Sequence, residues 1–180
     1  MNERRISGSI RAGSTDPAAH DALREQTREA MAHWASGVTI VAAQDGPVIH
    51  AVTVTAFMSV SLDPPLVAIG LGGNASVLPA LTEGKRFGIS ILSAPQRRIA
   101  SMFTDPAPIG REVFETTDVP LVKNALVTLT CSVEERIYAG DHTLIIAAVE
   151  RVGGDTSQPP LVRWARSYRA LQGESGGPGE

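Results

Sequence analysis

The chain has 180 residues, with 16 Lys and Arg against 19 Asp and Glu for a net charge of −3, and its positive residues are scattered, which excludes the electrostatic footprint of a nucleic-acid or anionic-lipid binder. This length suits one domain able to bury about 70% of its unfolded surface without a metal or disulfide staple. The single Cys131 excludes an internal disulfide and a cysteine metal cage, while the absence of an apolar leader segment and the prolines and glycines that break residues 64–82 predict a cytoplasmic protein without a membrane span.

In chain order, residues 1–19 and 172–180 read as tails too polar and glycine-rich to order themselves, leaving a domain over 20–171. A helix can start at Pro17 with Asp16 as its N-cap, carry Leu23, Ala30, Met31 and Trp34 on one stripe as packing residues, and end at Gly37. From Val38 onward the period changes to β-rich runs at 38–43, 48–55, 66–71, 87–92, 126–137, 143–152 and 161–168. Gln44-Asp45-Gly46-Pro47 and Ala139-Gly140-Asp141 are hairpin turns. In the fifth run, Val127, Leu129, Cys131, Val133 and Ile137 share an apolar face, with Thr128, Thr130, Ser132, Glu134 and Arg136 toward water. Short helices are predicted after Asn74, through Val77, Leu78 and Leu81, and after Ser93, where Ser93 and Gln96 match a capping box. The strand count predicts a mainly β, closed or nearly closed antiparallel sheet with a few helices.

The dinucleotide, Walker, zinc-protease and nucleophile-elbow motifs are all missing. Three segments carry subtler chemistry. Residues 53–66 place four hydroxyls within nine residues before Pro64-Pro65, a pattern that suits a polar-edged planar heterocycle and equally suits an edge strand ending in a Ser/Thr turn. Gly72-Gly73-Asn74-Ala75-Ser76 precedes the first short helix, so its amides suit an anion, or Asn74 serves only as an N-cap. His142 stands at a hairpin mouth, where it suits a nucleotide or redox contact as well as a plain turn. Cys131 reads as an inert core thiol, and Trp34 and Trp164 as packing residues.

Taken together in order, several segments resemble the flavin reductase-like family of FMN-binding split barrels, which includes the reductase components of two-component flavin-dependent monooxygenases. The resemblance is carried by residues 36–41, Thr53-Val54-Thr55-Ala56-Phe57, Ser59-Val60-Ser61-Leu62-Asp63-Pro64-Pro65-Leu66, 87–92, 99–103, Pro120-Leu121, Gly140-Asp141-His142-Thr143, Pro160-Leu161-Val162 and Tyr168. It implies a six-stranded antiparallel split β-barrel with Greek-key connections, assembled as a homodimer. It also implies NADH or NADPH as donor, FMN or FAD as acceptor, and delivery of reduced flavin by diffusion to a partner monooxygenase. A flavoprotein that retains FMN, or a non-catalytic ligand-binding barrel, is the alternative on the same scaffold.

By position, the resemblance gives Thr53, Val54, Thr55 and Ala56 to the flavin ring and ribityl chain, Ser59, Val60 and Ser61 to the same groove, Asn74 and Ser76 to the phosphate side, and His142 to the nicotinamide side. The chain departs from the family at Ala51, where glycine is usual, and at the flavin-side Ser90, where asparagine is usual.

Overall fold

The computed structural model describes residues 4–5, 16–104 and 111–171; of the expected tails, residues 1–3, 6–15 and 172–180 lie outside them. Its elements in chain order are β1 (Arg4–Arg5), α1 (Pro17–Ala32), β2 (Ser36–Gly37), β3 (Thr39–Asp45), β4 (Val48–Val54), β5 (Phe57–Leu62), β6 (Pro65–Gly72), β7 (Arg86–Ile91), α2 (Arg97–Met102), β8 (Phe114–Thr116), β9 (Pro120–Val122), β10 (Val127–Ala139), β11 (His142–Gly153), β12 (Leu161–Trp164) and β13 (Ser167–Ala170). The main sheet runs β4-β3-β7-β10-β11-β6-β5, antiparallel at every step, and β1 adds a short parallel pairing to β10. Its two edges, β4 and β5, are joined by only Thr55 and Ala56. A link that short spans at most about 11 Å, so the sheet curls until its edges approach at that corner. The expected mainly β, antiparallel architecture is therefore present.

Alternation along the strands feeds two apolar clusters. Val41, Val54, Ile69, Leu71, Phe87, Ile89, Cys131 and Ile145 fill the inside of the curl. Val38, Ile40, Leu92, Ala100, Phe103 and Leu161 form the second cluster, behind β3 and β7. Each fully buried Phe or Ile contributes about 1.5–3 kcal/mol. The β10 apolar face holds from Val127 to Val133 and then resets, but Thr130, expected toward water, is buried because the opposite face is covered there too. Val133 faces Ala147 but Glu135 faces Ile146, so Glu134 is an extra, bulged residue and Ile137 does not continue the apolar face.

The helices differ more from expectation. Asp16 caps α1 through Ala18 N–H at 3.0 Å, so the helix begins inside the segment expected to be tail. It ends at Ala32 with His33 as C-cap, and Gly37 is a β2 residue instead of the helix stop. None of its residues is buried, so the helix rests on local effects: the Asp16 cap, alanine-rich composition and the Arg28–Glu25 pair. Trp34 is 71% exposed and so does not pack the core, while Trp164 meets His33 edge to face. The helix expected after Asn74 is only a three-residue 3₁₀ turn, Leu78–Ala80. The Ser93/Gln96 capping box is formed and leads into α2. The last run is a hairpin, β12–β13, turned at Ala165 and Arg166. No helix among the described residues is long and apolar enough to cross a membrane.

Candidate functional site

The outer face of the β6–β11 pair is where the expected segments meet. Val67, Ile69 and Leu71 of β6 point into the core, so Ala68, Gly70 and Gly72 line the opposite face. Across the pair, Gly70 stands opposite Leu144 and Gly72 opposite His142. Small residues there leave the strand surface bare. A Cβ on Gly70 would come within 3.2 Å of the Ala56 Cβ, and the Gly70 amide donates to the Ala56 carbonyl at 2.8 Å. The β4–β5 link is thus bonded directly over the strand glycine.

Two cavities open beside this strand pair, the first on this face and the second at its Gly73–His142 end. The first, about 520 Å³, is lined by Thr55, Ala56, Phe57, Met58, Ala68, Gly70, Leu144 and, from the end of α1, Met31, Trp34 and Ser36. It is a hollow with a floor of small residues and apolar walls, within the size range of small-molecule sites. The second, about 660 Å³, is the more polar of the two and lined by Asn74, Ser76, Arg136, Tyr138, His142 and Thr143 among others. Leu144 of β11 lines the first hollow and its chain neighbours Thr143 and His142 line the second, so the two hollows lie next to each other along that strand.

The second cavity is framed by the β10–β11 hairpin. Gly140 turns it at φ +64°, a conformation that favours glycine, and the Asp141 carbonyl accepts from Gly73 N–H at 2.9 Å, tying the hairpin to the Asn74 loop. His142 Nδ1 lies 2.7 Å from Asp141 Oδ1. The hydrogen bond to His142, reinforced by its charge, holds the Asp141 carboxyl below its ordinary value. The Asn74 loop does not act as a helix terminus. The Gly73 and Ala75 amides go to the Asp141 and Gly72 carbonyls, and Asn74 Oδ1 folds back to 3.4 Å from where a Gly72 Cβ would stand.

The structure brings Thr55 and Ala56 to the first hollow and Asn74, Ser76 and His142 to the second. Ser59 and Val60 are exposed on the edge strand β5, and Ser61 Oγ accepts from Asp63 N–H at 3.2 Å, forming the Ser/Thr turn that was the plainer reading of this segment. Thr53 and Val54 face elsewhere. Thr53 Oγ1 donates to the Ala100 carbonyl at 2.7 Å, and Val54 lies in the inner core with its carbonyl accepting from Thr39. Ser90 is buried and its Oγ accepts from Val122 N–H at 2.9 Å. Ala51 packs against the second cluster. Neither position that departs from the family pattern lines either hollow.

Sequence reasoning missed Gly70, Phe57, Met58 and Leu144. The signal for the first was a glycine inside an otherwise apolar strand. It also missed Arg136 and Tyr138, which the bulge at Glu134 conceals. Burial pushes the Cys131 thiol up to about 12, with a further contribution from Glu150, consistent with an inert core position.

Comparison with known proteins agrees with this geometry. The family model described as a flavin reductase like domain matches residues 31–172. The reductase component of 4-hydroxyphenylacetate 3-monooxygenase from Thermus thermophilus is 38% identical over 149 residues, 83% of this chain and 97% of the relative. An NADH-dependent flavin reductase from Rhodococcus sp. is 37% identical over 166 residues, 89% and 92% of the two chains. Among solved structures, the NADH:FAD oxidoreductase SgcE6 of Streptomyces globisporus, in complex with NAD and FAD fragments, superposes with a TM-score of 0.78 at 26% identity, covering 85% of this chain and 95% of its own. With the family model matching residues 31–172 and relatives of 37–38% identity covering most of both chains, the chain belongs to the flavin reductase-like family.

Proposed function

We propose that this protein is an NAD(P)H:flavin oxidoreductase, transferring a hydride from NADH or NADPH to FMN or FAD and supplying reduced flavin to a partner monooxygenase. The observation that carries it is the adjacency of the two hollows on one strand pair. A tricyclic ring needs a flat floor without side chains and apolar walls, which Ala56, Ala68, Gly70, Phe57 and Leu144 supply. Its polar tail needs donors within reach, which Asn74, Ser76 and Arg136 supply next door. The donor set fits the nucleotide.

Hydride transfer is the chemistry of the two nucleotides themselves, so the chain's task is positioning. The β4–β5 link at Thr55 and Ala56, fixed by the Gly70–Ala56 hydrogen bond, sets the depth of the ring. His142, held by Asp141, lines the second hollow, where an exposed imidazole suits a contact with the nicotinamide nucleotide. Thr55, Ala56, Asn74 and His142 are all exposed, which suits a flavin that arrives and leaves as a substrate more than one retained.

The protein acts in the cytoplasm as a homodimer. The edge strand β5 exposes Met58, Val60 and Leu62, the last 87% exposed, and an apolar sheet edge of this kind suits a second copy. The deciding experiment follows nicotinamide oxidation by absorbance with FMN and FAD separately, and NADH against NADPH. Turnover that requires added flavin is expected. Yellow purified protein that neither nicotinamide reduces would overturn the reading.

A further inference from the structure

The bulge in β10 gives Arg136 a place its sequence position does not announce. With Glu134 unpaired, the inward and outward faces exchange for the rest of the strand. Arg136 then stands opposite Ile145, which is fully buried, and Tyr138 stands opposite the buried Thr143. An arginine that strict alternation would send to water is turned toward the end of the core. It enters the wall of the polar cavity, beside Asn74, Ser76 and His142.

The residue is partly buried, and its Nε is shielded from solvent with no hydrogen-bond partner. No carboxylate of the described residues forms an ion pair with it. A guanidinium nitrogen withdrawn from water without an acceptor is costly to leave unpaired. Its planar fork of donors matches the oxygens of a phosphate, which neutral Asn74 and Ser76 can bond but not neutralise.

We propose that Arg136 is the charged anchor of the groove, donating to the phosphate oxygens of a nucleotide bound there. That phosphate belongs either to the flavin tail or to the diphosphate of the nicotinamide nucleotide. The assignment rests on the flavin reductase reading above and adds to it the residue that holds the anion.

The test uses Arg136→Gln and Arg136→Lys in the full chain, each first shown by its melting curve to be folded. Dissociation constants for FMN and for riboflavin, which lacks the phosphate, come from flavin fluorescence titration, and KM for NADH from steady-state turnover. If the flavin phosphate is the ligand, Arg136→Gln weakens FMN tenfold or more, leaves riboflavin within twofold, and Arg136→Lys recovers part of the loss. If the nicotinamide diphosphate is the ligand, both flavins stay within twofold and KM for NADH rises tenfold or more. Constants for all three within twofold overturn the proposal, as does riboflavin weakening in step with FMN, which marks Arg136 as a packing residue. The unaltered protein separates the two levels of the argument: active parent with unchanged variants sinks only Arg136, whereas a parent inactive with every flavin sinks the reading beneath it.

Discussion

The two hollows meet at neighbouring residues of β11, Leu144 and Thr143, yet are built by opposite rules. The first is made by subtraction: Ala56, Ala68 and Gly70 keep side chains off the strand surface, and Met31, Trp34, Phe57 and Leu144 wall it with apolar groups. The second is made by addition, since a hairpin turn and a bulge bring Asn74, Ser76, Arg136 and His142 to one place. A hollow made by subtraction selects by shape and fails when filled. One made by addition selects by charge and hydrogen bonding and fails when a donor is removed.

The largest expected effect therefore comes from filling the first. Ala56 is exposed and its Cβ sits over Gly70, so Ala56→Leu puts a branched side chain into the ring space without disturbing the core. Flavin binding should weaken about 30-fold, about 2 kcal/mol, with the melting temperature unchanged. A fluorescence titration within threefold of the parent value would remove the hollow from the flavin site. Next comes His142→Ala, which deletes a contact on the nicotinamide side. The expected outcome is about a tenfold fall in kcat with NADH and a flavin dissociation constant within threefold. An unchanged kcat in steady-state kinetics would take His142 out of the site.

This contrast also explains what was legible in the sequence. The second hollow's loop and turn residues carry their own signals, because Gly72-Gly73-Asn74 and Gly140-Asp141-His142 are turn chemistry whatever they bind. The core strands were legible as short β-rich apolar runs, as in β3, and from period-two alternation in the first half of β10. What escaped was anything set by partner strands. Glu134 looks like an ordinary exposed strand residue, and only its register against Val133, Ala147 and Ile146 makes it a bulge that turns Arg136 inward. Ala165 and Arg166 form a hairpin turn at positive φ without glycine or asparagine, so 161–168 read as one strand. Val54 was assigned to the groove by resemblance, yet alternation sends its side chain to the core, as the neighbouring Thr53 and Thr55 could have indicated.

A smaller effect is expected from the residue that orients the histidine. Asp141→Asn keeps the size of the side chain but loses the charge paired with His142 Nδ1. It should lower kcat with NADH about threefold while the flavin constant holds. Because the folded carboxyl lies below its ordinary value, its pairing is complete above about pH 4 and is lost as pH falls through the lower folded value. A carbon-13 titration of Asp141 in the parent should show its midpoint below that of a free aspartate, and His142→Ala should move it back up. A midpoint that His142→Ala leaves unmoved would mean that the pair does not form in solution.

The smallest effect on either hollow should come from the interior that both sit upon. Cys131 lies in β10 before the bulge, fully buried, with its thiol pushed up to about 12. Cys131→Ser replaces a weakly polar sulfur with a hydroxyl that needs a partner, at a cost of about 1–3 kcal/mol if none is found. Melting temperature should fall, while both KM values and kcat stay within twofold below the transition, and thiol reagents should label the parent only as it unfolds. The outcome matters because β10 serves both purposes: its first half supports the sheet, and its second half, after Glu134, faces the ligand. Should Cys131→Ser change nucleotide binding as strongly as His142→Ala changes turnover, the two halves would be mechanically coupled, and the division of labour at the bulge would be lost.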